Sequence, residues 1–151
     1  MDSEIRIGQQ SAYFNHDATI ALYRDTITKA GADECNCSYC RNFAVQRTSA
    51  FTQEFLHLLE RIGIDTQKEV EVFDLGLVSP DSPRRLYGGW FAFCGSILEA
   101  GDWRPEHKRD SLTYWLTNNF PSAGLPTGVC AIEVLCELPW CIPEPPEQST
   151  T

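Results

Sequence analysis

The clearest pattern in the chain is an apolar stripe of helical spacing in its middle third. Its members follow one another at offsets of 4, 7, 8 and 11 residues, and they are Phe51, Phe55, Leu58, Leu59 and Ile62. Ser49 precedes the stripe and is a residue type that caps helices by accepting a backbone N–H. Gly63 follows it and can end a helix in the left-handed conformation. The pattern therefore predicts a helix over about residues 49–62 with its apolar side packed in the core.

The region before this helix is predicted to hold a β-hairpin and a shorter helix. The tripeptide Asn-His-Asp at 15–17 has the composition of a turn and separates 11–14 from 18–23, in which Ala18, Ile20 and Leu22 would share one face of a strand. We therefore place a hairpin centred near His16. A short helix is predicted over about 38–47.

The second half of the chain returns to strand patterns. Segments of alternating or continuous apolar character, bounded by turn-forming residues, occur at 69–75, 86–98, 112–116 and 130–138. The segment 86–98 is apolar on both faces, which is typical of a central strand. The order of elements predicts an α+β fold, mostly an antiparallel sheet or sandwich, with a short helical pair inserted after the N-terminal hairpin.

Length and composition are those of one globular domain. The chain has 151 residues, of which 42% are hydrophobic and 22% charged. We assign residues 1–142 to a single domain, and the Pro-rich, polar segment 143–151 to a disordered or extended tail. The net charge of −9 argues against a nucleic-acid partner, because phosphate binding needs a positive surface.

The sequence also gives an expectation about the compartment. It has no apolar run of the length that crosses a membrane, and its first ten residues lack the basic and apolar regions of a secretory signal. We therefore expect a cytoplasmic protein without a membrane partner. In a reducing compartment the seven cysteines are expected to be thiols rather than disulfides.

A cluster of three cysteines is the candidate site. Cys35, Cys37 and Cys40 lie within six residues, and a C-x-x-C turn can place two sulfurs around one Zn²⁺. A structural zinc site usually has four ligands, and no second C-x-x-C is present. His16, in the predicted hairpin turn, is our first choice for the fourth ligand, and His57 in the predicted helix is a weaker one.

Redox chemistry is the alternative function of the same segment. Cys37 is expected at the N-terminus of the short helix, where the helix dipole and Arg41 can lower the pKa of its thiol. The tetrapeptide Cys37-Ser38-Tyr39-Cys40 resembles the active-site motif of glutaredoxins over these four residues. The chain lacks the βαβ start and the proline-containing tripeptide of that family, so we do not assign it. A third hypothesis is that all three thiols are incidental.

Other chemical groups have more ordinary interpretations. Cys94, Cys130 and Cys136 fall on apolar strand faces and are predicted to pack in the core. The charge run Glu106–Asp110, which contains His107, is predicted to be a solvated loop. The leading hypothesis is a small non-enzymatic protein that acts by binding an unknown protein or small ligand and carries a cysteine-rich, zinc-binding loop. A thiol-disulfide redox enzyme that uses Cys37 and Cys40 is the alternative.

Overall fold

The fold is known from a computed structural model that describes residues 2–101 and 105–147. Its strands are β1 (Asp2–Ile7), β2 (Gln10–Asn15), β3 (Glu71–Leu77), β4 (Arg85–Glu99), β5 (Thr113–Thr117) and β6 (Val129–Leu138). Its helices are α1 (His16–Asp25), α2 (Gly31–Glu34), α3 (Ser38–Gln46) and α4 (Gln53–Ile62). Within these residues, no helix has the length and apolar character needed to cross a membrane.

The six strands of the described chain form one antiparallel sheet around β4. One edge of β4 pairs with β6 over residues 85–94. The other edge is shared, because β3 pairs with residues 85–90 and β2 with residues 95–99. β1 completes the sheet beside β2, and β5 completes it beside β6. The prediction of an α+β fold, with a mostly antiparallel sheet and short helices after a hairpin, is confirmed.

The core lies between the sheet and the helices. Side chains along β4 point alternately to the two faces of the sheet. Phe91 is on the face that the helices cover, where its ring contacts those of Phe51 and Phe55. Trp90 lies on the opposite face, where its ring packs on Phe73 at 4.8 Å. The central position predicted for the strand at 86–98 therefore agrees with its pairing on both edges.

Helix α4 contains four of the five residues of the predicted apolar stripe, and because it begins later than expected, Phe51 lies before it. Its N-cap is Thr52, whose hydroxyl accepts the Phe55 N–H at 3.2 Å. Ser49 instead donates its hydroxyl to the Gln46 carbonyl at 3.1 Å and so belongs to the end of α3. Gly63 ends α4 with a φ of 98°, which confirms the predicted left-handed cap.

The predicted position of the hairpin, centred near His16, was wrong. The structure turns at Gly8, which has a φ of 58°, and pairs β1 with β2 on either side of it. The segment 16–25, predicted in part as a strand, is helix α1. Asn15 caps this helix by accepting the Ala18 N–H at 2.8 Å. Asparagine favours both turns and N-caps, and here the cap is formed.

Candidate metal centre

The three clustered cysteines lie at the junction between α2 and α3. Cys35 is the residue that ends α2, and Cys37 is the N-cap of α3. The short α2 is held against β3, because Gly31 donates to the Glu69 carbonyl at 2.8 Å. A Cβ on Gly31 would lie 2.4 Å from the Val70 carbonyl oxygen, so only glycine allows this approach. The chain must then reverse within three residues to enter α3, and this reversal brings the cysteines together.

The sulfur atoms of Cys35, Cys37 and Cys40 all lie within 4.8 Å of one another. Cys35 Sγ and Cys37 Sγ are 3.3 Å apart, and Cys37 Sγ accepts the Cys40 N–H at 3.4 Å. No other group of three or more His, Cys, Asp or Glu ligand atoms meets this condition in the described part of the chain. The predicted cluster of three cysteines is therefore a cluster that can hold a metal ion.

The three thiols differ in exposure and acidity. Cys35 is exposed, and a hydrogen bond from the Cys37 backbone, together with those from the Cys37 and Cys40 thiols, lowers the pKa of Cys35. Cys40 is buried, and this burial, with its two cysteine neighbours, raises the pKa of Cys40 far above its ordinary value. The cluster thus pairs an accessible thiol whose pKa is lowered with a buried thiol whose pKa is raised.

The structure does not bring His16 to the cysteines. His16 is the first residue of α1, where its Nδ1 lies 3.3 Å from the Asp17 carboxylate. Its ring packs beside Gly63 at the end of α4. His16 belongs to a helix that Asn15 caps, and not to the hairpin turn that the sequence predicted. His57 is an exposed residue of α4 and is also outside the group of ligand atoms.

The segment after β6 packs on the first turn of α3, which the sequence did not predict. Glu147 Oε1 accepts the Ser38 N–H at 2.9 Å, and the Glu147 N–H donates to Ser38 Oγ at 3.0 Å. The Tyr39 hydroxyl donates to the Glu147 carbonyl, and the Arg41 guanidinium pairs with Glu144. Glu144 and Glu147, in the predicted tail 143–151, therefore contact α3, and residues 148–151 lie outside the described chain.

Three of the four remaining cysteines pack in or against the core, as the sequence predicted. Cys130 and Cys136 are buried on β6, and burial raises the pKa of each to about 12. Cys94 is partly buried and packs against the same core. Cys141 is exposed, and its N–H donates to Asn42 Oδ1 at 2.7 Å. These thiols do not belong to the metal-binding group.

His107 differs from the solvated residue that the charge run predicted. Its Nε2 lies 2.7 Å from Glu137 Oε2, and its Nδ1 lies 2.9 Å from Thr113 Oγ1. The Glu137 side chain is only 2% exposed, and its Oε2 also accepts the Asp110 N–H. This arrangement ties the loop to β6. A histidine within a run of charged residues gives no sign of such a long-range contact.

Comparison of the chain with protein-family models, with curated proteins and with solved structures found no match. The function is therefore inferred from the chemistry of the site. Three sulfur ligands on a short reversal of the chain suit a soft or borderline cation such as Zn²⁺. Two adjacent thiols of unequal pKa also suit thiol-disulfide exchange.

Proposed function

We propose that the protein binds one Zn²⁺ through Cys35, Cys37 and Cys40 and acts as a non-enzymatic binding protein. The observation that carries the proposal is the convergence of three sulfurs within 4.8 Å of one another. Thiolate is the ligand type that zinc takes most often in structural sites. The C-x-x-C segment begins at Cys37, the N-cap of α3.

Two features near the cluster favour negative charge at the start of α3. Cys37 caps α3, so its sulfur lies where the helix dipole favours negative charge. Arg41, one turn into the helix, donates to the Asn36 carbonyl and adds a positive charge beside the loop. These features lower the cost of bringing three thiolates together around a cation.

Zinc would add a direct link between the two helices on either side of the cluster. The metal would link the end of α2 to the start of α3, and it would hold the exposed loop at 35–37 in one conformation. The proposed function assigns this ordered surface to recognition of a protein or small ligand. It also assigns the protein to a reducing, cytoplasmic environment, because the ligands must remain thiols to bind zinc.

Metal content tests this function directly. Protein purified without added metal is expected to carry one zinc per chain, or to take up one zinc after treatment with a chelator. Cys37→Ser is expected to weaken zinc binding by more than about a hundredfold, beyond the cost of changing an outer-shell partner. Cys141→Ser is the matched control, because Cys141 is exposed and outside the cluster. Wild-type protein that binds no zinc at micromolar concentration would contradict the proposal.

We also expect zinc binding to weaken as the pH falls. The raised pKa of Cys40 means that this thiol is protonated in the metal-free protein around neutral pH, so binding must release its proton. Protons therefore compete with the metal, and each proton released changes the affinity by about tenfold per pH unit. Competition with a chromophoric chelator between pH 6 and 8 measures this slope. A flat profile would show that Cys40 is not a ligand.

Thiol-disulfide exchange is the second candidate function, and the structure favours a different pair from the one that the sequence suggested. Cys35 is exposed, has a lowered pKa and lies 3.3 Å from Cys37 Sγ, whereas Cys40 is buried. The Cys35 thiolate would attack a small disulfide such as glutathione disulfide and release one thiolate. Cys37 would then attack Cys35 Sγ, release the second thiol and leave a Cys35–Cys37 disulfide. A protein that takes up no zinc but forms this disulfide would favour the second function.

A further inference from the structure

The cluster provides three ligands, whereas a zinc site in a protein is usually completed by a fourth. His16 and His57 lie outside the cluster, so the fourth donor must come from elsewhere. In the structure, the segment 143–147 also reaches this region, because Glu147 forms hydrogen bonds with Ser38. Its contacts with α3 therefore bear on how the site is completed.

Glu147 contacts Ser38, the residue that follows Cys37 at the start of α3. The Glu147 carboxylate accepts the N–H of Ser38, while Cys37 Sγ accepts the N–H of Cys40, two residues further along the same turn. The main chain of Glu147 is fixed as well, because its N–H donates to Ser38 Oγ and its carbonyl accepts the Tyr39 hydroxyl. Three contacts to two consecutive residues thus hold this glutamate at the cysteine-bearing end of the helix.

The Glu147 carboxylate places a negative charge on the residue that follows Cys37, because it accepts the Ser38 N–H. A carboxylate placed near thiols that are to ionise is unfavourable unless a cation lies between them. A divalent cation would turn this repulsion into attraction.

We propose that Glu147 supplies the fourth, oxygen ligand of the zinc site formed by Cys35, Cys37 and Cys40. Only Oε1 needs to stay on the Ser38 N–H, and a ligating carboxylate is commonly hydrogen-bonded in this way. The Glu147 oxygens lie outside the group of atoms within 4.8 Å, so metal binding would draw the side chain toward the sulfurs. The segment 143–147 then closes the site and couples zinc to the docking of the chain end. This inference rests on the proposed zinc binding.

Two variants of the same segment separate a ligand from a merely docked residue. Glu147→Gln keeps an oxygen that can accept the Ser38 N–H but removes the charge, and we expect zinc affinity to fall by at least about tenfold. Glu144→Gln is the matched control, because Glu144 lies on the same segment and pairs with Arg41 rather than with the first turn. It is expected to change zinc affinity by less than about threefold.

X-ray absorption of the wild-type zinc protein provides the second readout. We expect three sulfurs at about 2.3 Å and one oxygen at about 2.0–2.2 Å, with that oxygen contribution altered in Glu147→Gln. A shell of four sulfurs would overturn the assignment. Equal affinities for wild type and Glu147→Gln would overturn it while leaving zinc binding intact. Wild-type protein without affinity for zinc would overturn this inference together with the proposed function.

Discussion

Phe55→Ala is expected to lower the free energy of unfolding by about 3–5 kcal/mol, the usual range for loss of a buried phenylalanine. Phe55 is 0% exposed and lies where α4 meets the sheet. Its ring packs against Tyr114 at 4.7 Å, Phe51 at 5.3 Å and Phe91 at 6.2 Å. These rings come from β5, from the loop before α4 and from β4, so the cavity left by the truncation is bordered by three separate parts of the chain.

Urea denaturation of Phe55→Ala beside Val45→Ala measures this effect. Val45 is 65% exposed on α3, so its truncation removes little buried surface and should change the free energy of unfolding by less than about 0.5 kcal/mol. A loss below about 1 kcal/mol for Phe55→Ala would show that α4 does not pack on the sheet in solution.

The part of the fold that the sequence predicts best is the part with strong local signals. The stripe that contains Phe55 and the glycine at 63 together specify α4, since helical spacing and a left-handed cap leave little alternative. The start of α4 was predicted too early, because Ser49 and Thr52 are both residue types that cap helices. Only tertiary structure decides that the Ser49 hydroxyl closes α3 and the Thr52 hydroxyl opens α4.

The error at α1 has a specific physical cause. Ala18, Ile20 and Leu22 would share one face of a strand, yet Ile20 is 45% exposed. The buried positions are Thr19, Leu22 and Tyr23, which have helical spacing. This spacing was hidden because Thr19 is polar; its hydroxyl donates to the Asn15 carbonyl and accepts the Cys94 N–H. Hydrophobic periodicity cannot reveal a buried polar residue that has a partner distant in sequence, as Thr19 has in Cys94.

The candidate site was predictable only in part for the same reason. Cys35, Cys37 and Cys40 are close in sequence, so a single turn was enough to predict that they meet. Glu147 reaches the same turn from a distance of 109 residues, and its segment is polar and Pro-rich. Such a composition predicts a tail, because docking through hydrogen bonds leaves no apolar pattern.

The second large effect is expected from Glu69, a carboxylate that holds both sides of the cysteine-bearing segment. Its side chain is 1% exposed and accepts the Arg47 guanidinium, with Nε at 2.7 Å. It also accepts the Ala32 N–H at 3.0 Å. Ala32 is in α2 and Arg47 is the C-cap of α3, so this one residue anchors the two helices that position the cluster.

We expect Glu69→Ala to destabilise the protein by about 3–5 kcal/mol, because it leaves the buried Arg47 charge without its main partner. Asp33 remains 3.2 Å from Arg47, but its side chain is 53% exposed and cannot replace a buried carboxylate. Glu71→Ala is the control, since Glu71 is an exposed acidic residue on the adjoining strand β3. That substitution should cost less than about 0.5 kcal/mol.

A double variant distinguishes the cost of an unpaired charge from the loss of packing. Replacing both partners by apolar residues, as Arg47→Met with Glu69→Leu, removes the buried charges together and should be less destabilising than Glu69→Ala alone. The Ala32 N–H still loses its acceptor, which accounts for a residual cost of about 1 kcal/mol. If the double variant were as unstable as Glu69→Ala, the loss would come from packing around α2 rather than from the Arg47 charge.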